Sequence, residues 1–195
     1  RVLFIGTDMA VGKMTAGLEL YSWLLEHKKK VGFVATGQIG ITIVGKGIPL
    51  DAFKVDHACG AVEQVVLDQA DKDIILIEGQ GSLLHPGSTA TLPLMRGSCP
   101  THLILCLRAE IKTLRSPEHI KIPDLNDFIA LNESLASVFG TFPRSRVIGI
   151  AANTSMLSEK DAKAYLSKTS KDTGLVTIDP IRYGIAPIGE QILMS

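Results

Sequence analysis

The sequence alternates short apolar segments with longer segments of helical periodicity, and this alternation restricts the fold more than any other feature. It is typical of repeated strand–helix units that build a parallel sheet. Continuous aliphatic runs such as Ile74–Ile77 indicate strands covered by helices on both faces. We therefore predict an α/β fold of three layers with a mostly parallel sheet. The predicted strands are Val2–Gly6, Val31–Thr36, Asp73–Glu78, His102–Arg108, Arg146–Asn153 and Leu175–Ile178.

Four segments have the apolar spacing of helices. The first is predicted over Lys13–Lys29, where apolar residues recur at steps of four, three and four: Met14, Leu18, Tyr21 and Leu25. A second helix is predicted to start near Asp56. A third follows the N-cap residue Asp124, and a fourth runs from Ser158 to a left-handed C-cap at Gly174. The lysines at the end of the first helix are interpreted as a solvated helix end.

Two connections are longer than a compact domain usually has. They run from Gly37 to about Val55 and from Gly79 to about Thr101. Connections of that length without secondary structure are usually functional or disordered. Because the second begins at the end of a buried strand, function is favoured over disorder there.

Composition excludes several classes of partner. The 195 residues, 46% of them hydrophobic, carry 20 basic and 20 acidic side chains, so nothing favours a nucleic-acid partner. The longest apolar runs fall far short of the ~20 residues that cross a membrane. Three cysteines, Cys59, Cys99 and Cys106, have no metal-like spacing and predict free thiols in a reducing cytoplasm. We expect a single α/β domain over residues 1–195 and, since Arg1 opens directly into a strand, a piece of a longer chain.

The strongest motif is a glycine-rich loop between the first strand and the first helix, Gly6-Thr7-Asp8-Met9-Ala10-Val11-Gly12-Lys13-Met14-Thr15. Glycines let a backbone wrap around a phosphate, while successive N–H groups and the helix N-terminus supply donors. Lys13 adds a positive charge. The motif predicts a phosphate-binding P-loop, and with it a P-loop NTPase-like sandwich.

This loop departs from the usual P-loop pattern in two ways. Five residues separate Gly6 from Gly12 where the pattern has four, and Met14 occupies the place of the Ser or Thr that binds Mg²⁺. A thioether does not serve a hard cation. Thr15 is turned ~100° around the helix, where contact with another phosphate is more natural. The loop is therefore expected to grip a phosphate with weakened ability to position Mg²⁺, and no protein metal site is predicted.

Two predicted strands end in polar residues. Glu78 follows an all-aliphatic run and precedes glycines, and Asn153 ends the fifth predicted strand. The carboxyl ends of strands are where open α/β sheets bind ligands. Glu78 is a candidate general base or, through water, a metal ligand. The Asn153 amide can donate to and accept from an adenine edge, although Asn is also a common turn residue.

Several motifs carry a resemblance to known families. The P-loop, the Glu-Gly-x-Gly of the third strand and Asn153 resemble dethiobiotin synthetase. A closer resemblance, to the bacterial D-glutamate N-acetyltransferase family, rests on these segments together: Val11–Thr15, Val34–Gln38, Gly60–Gln64, Glu78–Pro86 and Asp179–Gly184. It covers nearly the whole chain, departs around Lys112–Ile122, and implies that the chain is the C-terminal P-loop half of a longer protein.

The resemblance implies acetyl-CoA as cosubstrate and a small amino acid, such as D-glutamate, as acceptor. Coenzyme A offers adenine, a 3′-phosphate and a pyrophosphate, which suit a P-loop and Asn153 without Mg²⁺. Glu78 or His85 would act as base, and Arg115 or Arg182 would clamp a carboxylate. Gln38, Gln80 and Ser82 complete the candidate substrate-binding set.

Each role has a simpler alternative. His85 could be an ordinary loop histidine, Arg182 could pair with Asp179, and Arg115 could be an exposed loop residue. The two glutamines could serve the loop backbone.

Two other functions stay open. One is an ATP-dependent ligase or kinase in which Glu78 and Asp8 hold Mg²⁺. The other is a nucleotide-binding domain without chemistry. A cytoplasmic homo-oligomer is expected in each case.

Overall fold

The computed structural model describes residues 1–194, and within them six parallel strands form one sheet with helices on both faces. The elements are β1 (Val2–Gly6), α1 (Lys13–Glu26), β2 (Val31–Val34), α2 (Gln38–Val44), α3 (Val55–Leu67), β3 (Ile74–Ile77), α4 (Thr91–Ser98), β4 (His102–Arg108), α5 (Leu125–Ser137), β5 (Arg146–Asn153), α6 (Glu159–Thr173), β6 (Thr177–Ile178), α7 (Pro180–Tyr183) and α8 (Ala186–Met194).

The strand order is β2-β3-β1-β4-β5-β6. Strand β1 therefore lies inside the sheet, with β3 on one side and β4 on the other. Strand β3, which Glu78 follows, is thus a direct neighbour of the P-loop strand β1. Because all strands are parallel, the segments that follow them gather at one edge of the sheet.

Successive side chains of β1 enter two different core layers. Leu3 and Ile5 pack with apolar residues of α3, α4, α5 and α6, whereas Val2 and Phe4 pack with those of α1 and α8. Phe4 is 1% exposed, and full burial of a side chain of that size contributes about 2–3 kcal/mol. The predicted three-layer α/β fold is confirmed, and β1, which the P-loop follows, lies in its central layer.

The predicted strands and helices agree with the structure to within a few residues. The bounds of β1, β4 and β5 are as predicted, whereas β2, β3 and β6 are shorter. The predicted N-cap Asp124 accepts a hydrogen bond from the backbone N–H group of Asn126, and the predicted C-cap Gly174 has φ +71°. Ser158, the predicted start of the fourth helix, is its N-cap and accepts from Asp161 N. Helix α1 ends at Glu26, earlier than the predicted Lys29, because Lys28 takes a left-handed conformation with φ +55°.

The prediction that the two long connections lack secondary structure was wrong. The first contains α2 and a 3₁₀ turn at Leu50–Ala52, and the second contains α4. Pro93 stands third in α4, where the N–H that proline lacks would have no helical partner. Within residues 1–194, no helix is both long and apolar enough to cross a membrane.

Candidate functional site

The P-loop connects β1 to α1 in a conformation that requires its glycines. A Cβ on Gly6 would lie 2.9 Å from Val11 Cγ2 and 3.0 Å from Lys13 Nζ, so the loop closes directly over this residue. Gly12 has φ +104°, a value that side chains rarely adopt. The loop is therefore wrapped as phosphate binding requires, and α1 begins directly behind it.

Lys13 is folded into the loop and is only 7% exposed. Its Nζ donates a hydrogen bond of 2.9 Å to the backbone oxygen of Asp8. Burial lowers the pKa of Lys13 from its ordinary value, and the nearby Cys106, Asp8 and Glu78 offset part of that effect. A phosphate placed in the loop would give this desolvated cation an anionic partner.

Asp8 ties the P-loop to the segment between β4 and α5. Its Oδ1 accepts from Met9 N at 2.6 Å, and its Oδ2 accepts from Arg115 N at 2.8 Å. Thr7 and Asp8 are both buried. The backbone N–H of Thr7 donates to Cys106 O at 3.1 Å. Both side chains line a cavity on the outer side of the loop, so they support the loop rather than face the Lys13 side.

Glu78 directly follows β3 and is 4% exposed. Its Oε2 accepts hydrogen bonds from Thr36 N at 2.9 Å and Gly37 N at 3.1 Å, which join the ends of β2 and β3. A Cβ on Gly40 would lie 2.3 Å from that oxygen, so only glycine lets α2 approach. Oε1 takes no hydrogen bond from the described residues, which leaves it available to a ligand.

A cavity of about 710 Å³ lies between the P-loop, α2 and Glu78, and we call it the phosphate cavity. It brings together eight of the residues singled out from the sequence: Gly12, Lys13, Met14, Thr15, Gln38, Glu78, Gln80 and Asn153. Asp51 also lines it and accepts from Gln38 Nε2 at 3.4 Å. Sequence reasoning missed Asp51 because it lies in the connection that was predicted without structure.

A second cavity of about 350 Å³ continues from the first, and we call it the base cavity. The two share Gly12, Thr15 and Asn153. The base cavity is lined mainly by apolar side chains: Val11, Ala16, Ala151, Pro180 and Ile181. Asn153 stands at the junction, where its Oδ1 accepts from Ser155 N at 3.0 Å. A mainly apolar slot with a few polar groups is typical of a small-molecule site.

Asp179 builds one wall of the base cavity. Its Oδ2 accepts from Thr154 N at 2.9 Å and Thr154 Oγ1 at 2.6 Å, and its Oδ1 accepts from the N–H groups of Ile181 and Arg182. Burial alone would raise the pKa of Asp179, but the hydrogen bonds from Thr154, Arg182 and Ile181 outweigh it and lower the pKa below its ordinary value. The carboxylate fixes β6 and α7 against the end of β5.

A third, smaller cavity of about 180 Å³ lies between the outer side of the P-loop and the segment 108–122. Arg108, Arg115 and Glu118 line it, so we call it the arginine cavity. Arg108 donates through Nη2 to Ala10 O at 3.3 Å. Arg115 was identified from the sequence; Arg108 was missed because it lies inside a predicted strand without a motif of its own.

Two other predicted site residues, His85 and Ser82, have structural partners. His85 has Nε2 2.6 Å from Ser116 O and accepts from Gly87 N through Nδ1 at 3.1 Å, so both ring nitrogens are engaged outside the phosphate cavity. Ser82 is 1% exposed, and its Oγ accepts from Leu84 N at 3.2 Å within the same turn.

The alternative in which Arg182 pairs with the Asp179 carboxylate was wrong. Its guanidinium donates to Leu157 O at 2.7 Å and lies 3.5 Å from Glu159 Oε2, because the Asp179 oxygens are filled by backbone groups and Thr154. Among residues 1–194, no group of three or more His, Cys, Asp or Glu side chains could hold a metal ion.

Comparison with known proteins gives the family. Residues 1–189 match the model of a domain of unknown function, DUF1611_C, described as a P-loop domain. Two curated relatives, from Pseudoalteromonas sp and Tritonibacter scottomollicae, are named D-glutamate N-acetyltransferase. They are 36% and 37% identical over 96% and 94% of this chain, respectively. The crystal structure of a DUF1611 family protein from Anabaena variabilis is 46% identical over the whole chain, with a TM-score of 0.98.

The chain spans 56% and 55% of the two curated relatives and 57% of the Anabaena protein. The family model matches residues 1–189, which is nearly the whole length of this chain. The chain therefore belongs to the DUF1611 P-loop domain family, as the sequence motifs predicted.

Proposed function

We propose that this P-loop domain supplies the acetyl-CoA-binding part of an N-acetyltransferase whose acceptor is the amine of D-glutamate or a related amino acid. The names of the two curated relatives support this reaction class. The observation that carries the proposal is the continuity of the phosphate cavity with the base cavity through Gly12, Thr15 and Asn153. One ligand with an adenine and a pyrophosphate would fill both.

The residues of the two cavities fit coenzyme A without a metal ion. Lys13, the Gly12 turn and the start of α1 would hold the pyrophosphate. Asn153 would meet the adenine edge, and the apolar wall of the base cavity would cover its faces. Met14 lines the phosphate cavity in the place of the usual Mg²⁺ ligand, which is no disadvantage to a donor that needs no Mg²⁺.

Glu78 is the candidate base for the transfer. The acceptor amine reacts only after losing a proton, and Glu78 Oε1 would accept that proton from the ammonium group. The amine nitrogen then forms a bond to the thioester carbonyl carbon. The carbon–sulfur bond breaks and the coenzyme A thiolate leaves. The nitrogen loses its second proton as the amide forms, and the thiolate takes up that proton. The Thr36 and Gly37 N–H groups on Oε2 would hold the carboxylate in place during these steps.

Arg115 stays our candidate for binding the acceptor carboxylate. The arginine cavity also contains Arg108, and a pair of guanidinium groups suits an acceptor with two carboxylates. The cavity adjoins the phosphate cavity at Met9. His85, whose ring nitrogens are both hydrogen-bonded, is the weaker candidate base.

Calorimetric titration of the purified chain tests the donor. We expect acetyl-CoA to bind without metal and ATP to bind weakly with or without Mg²⁺. Met14→Thr, which restores the usual Mg²⁺ ligand, should leave acetyl-CoA binding unchanged. Tight ATP binding that requires Mg²⁺, with no binding of acetyl-CoA, would replace this proposal by the ligase or kinase hypothesis.

Turnover is tested with acetyl-CoA and a panel of amino acids. We expect release of free thiol from acetyl-CoA to depend on D-glutamate and to be lost in Glu78→Gln. Tight acetyl-CoA binding with no thiol release for any amino acid would favour a domain that binds without chemistry. A homo-oligomer in the cytoplasm stays a prediction, and sedimentation equilibrium measures the oligomeric state.

A further inference from the structure

The base cavity has a guanidinium in its lining, that of Arg182. Among the described residues that line it, Arg182 is the one cation and Asp179 the one anion. The Asp179 oxygens already accept four hydrogen bonds, from Thr154, Ile181 and Arg182 backbone or hydroxyl groups. The carboxylate therefore serves the fold, and an apolar slot for a neutral purine has a guanidinium at its edge that the purine itself does not require.

The Arg182 guanidinium is held but not saturated. Its Nη2 donates to Leu157 O at 2.7 Å, and its Nη1 lies 3.5 Å from Glu159 Oε2. The Arg182 side chain is 25% exposed, whereas that of Glu159 is 60% exposed. A long contact with an exposed carboxylate is weak, and a guanidinium has five N–H donors. Arg182 is thus positioned with donors left for an anion.

The two joined cavities therefore have cations at different places. Lys13 lines the phosphate cavity and not the base cavity, whereas Arg182 lines the base cavity and not the phosphate cavity. The three shared residues lie between these two sets. A ligand that satisfies both cations must carry phosphate groups on both sides of its adenosine. ATP carries phosphates only at the 5′ position, while coenzyme A carries a 5′ pyrophosphate and a 3′-phosphate.

Resting on the proposed function, we propose that Arg182 binds the 3′-phosphate of coenzyme A and makes this site select coenzyme A over ATP. The P-loop and Lys13 hold the 5′ pyrophosphate of the same molecule. This role replaces the carboxylate clamp considered for Arg182 from the sequence. The Leu157 carbonyl acts as an anchor that keeps the guanidinium at the cavity rim.

The test compares acetyl-CoA with 3′-dephospho-acetyl-CoA, which differs only in the phosphate at issue. We expect the unaltered chain to bind acetyl-CoA roughly ten- to hundredfold more tightly, the usual range for a charge-assisted contact. In Arg182→Gln the two dissociation constants should become equal through loss of acetyl-CoA affinity, with dephospho-acetyl-CoA binding unchanged. In Arg182→Lys, which keeps the charge but not the fork, the preference should be intermediate.

Lys163→Gln provides the matched control. Lys163 pairs with the same Glu159 and is 66% exposed, but it does not line the base cavity. The variant makes the same change in net charge nearby and should keep the full preference for the 3′-phosphate. An equal loss of preference in Lys163→Gln and Arg182→Gln would mean that the 3′-phosphate responds to the general positive charge of this region rather than to a contact with Arg182. That result would overturn the proposal.

The outcomes separate this inference from the proposed function. If the unaltered chain binds both coenzyme A compounds equally, the Arg182 assignment is wrong and the acetyl-CoA function stands. A preference that persists in Arg182→Gln would equally overturn the assignment. If neither compound binds and ATP does, the proposed function fails, and the Arg182 assignment fails with it.

Discussion

Lys13 combines a desolvated charge with a position inside a loop of backbone donors. It is 7% exposed and its Nζ contacts Asp8 O, so in the folded chain it is held by one neutral acceptor. Burial without an anionic partner destabilises the charged form of Lys13. A charge in this position would make a strong hydrogen bond to an anion that enters the loop. At the scale of single residues, the site thus depends on a charge that the fold alone does not require.

Lys13→Ala should weaken acetyl-CoA binding by about ten- to hundredfold and leave the circular dichroism spectrum unchanged. The pKa of Lys13 is lowered from 10.5 by burial, and the cation exists below its pKa. Affinity of the unaltered chain should therefore fall as pH rises through a value below 10.5, and the variant should lack this step. Calorimetry across an alkaline pH series measures both. Lys29→Ala, at an exposed lysine, is the control, and equal losses in both variants would contradict the role of Lys13.

At the scale of elements, α7 depends on its N-cap, Asp179. We expect Asp179→Asn to lower the free energy of unfolding at pH 7 by about 1–3 kcal/mol. Each Asp179 oxygen accepts from donors of Thr154 or of the α7 N-terminus. In either orientation, the NH2 group of Asn would therefore face other N–H donors and could not accept their hydrogen bonds. Urea unfolding at pH 7 and at pH 3 measures the change.

The pH dependence of that effect has a definite sign. The pKa of Asp179 in the folded chain lies below the ordinary 3.8, so its contribution is present above pH 3.8 and is lost as pH falls through the folded value. The difference in the free energy of unfolding between the unaltered chain and Asp179→Asn should therefore become smaller below that pH. Asp124→Asn is the control, since Asn and Asp cap helices about equally well. A similar loss in both variants would contradict a special role for Asp179.

The contact between α3 and α4 depends on one glycine. A Cβ on Gly97 would lie 2.3 Å from Cys59 O and 2.6 Å from Val62 Cβ, so Gly97→Ala should separate the two helices and cost about 1–3 kcal/mol. Gly60, on the exposed side of α3, has no atom within 4 Å of an added Cβ. Gly60→Ala should stabilise by about 0.5–1 kcal/mol. Chemical unfolding measures both, and two changes of the same sign would contradict this packing.

Sequence periodicity predicted the central elements better than the outer ones. Strands β1, β4 and β5 are mainly apolar and buried over most of their length, and that pattern has few alternatives. Helix α2 lacks such a signal, since it is short and buries only Gly40. Its position follows from the contact of Gly40 with Glu78, 38 positions along the chain, which no local pattern contains.

The same limit applies to the site when the whole molecule is considered. The P-loop, Glu78 and Asn153 could be placed from the sequence because each ends a strand of a parallel sheet, and such ends meet at one edge. The partners of Arg182 and His85 could not, since Leu157, Glu159 and Ser116 are brought to them only by the tertiary fold. Sequence reasoning thus placed the candidate site at one edge of the sheet and left the roles of its rim residues open.

The cavities gather segments from both halves of the sheet, so a ligand that fills them should stabilise the whole domain. The P-loop follows β1, Glu78 follows β3, and Asn153 ends β5. Acetyl-CoA at one hundred times its dissociation constant should add about 2.7 kcal/mol to the free energy of unfolding. For a domain of this size, that raises the midpoint of thermal unfolding by about 5–10 °C.

Combining Lys13→Ala with Arg182→Gln should abolish most of this shift at the same ligand concentration, because the two cations hold phosphates at different places on one molecule. Each single variant should keep part of it, and distant contacts of this kind should contribute nearly additively. Differential scanning calorimetry of the four proteins, with and without acetyl-CoA, measures the shifts. If Lys13→Ala alone removes the whole shift and Arg182→Gln alone leaves the shift unchanged, the ligand is held from one end only. The base cavity then contributes shape without charge recognition.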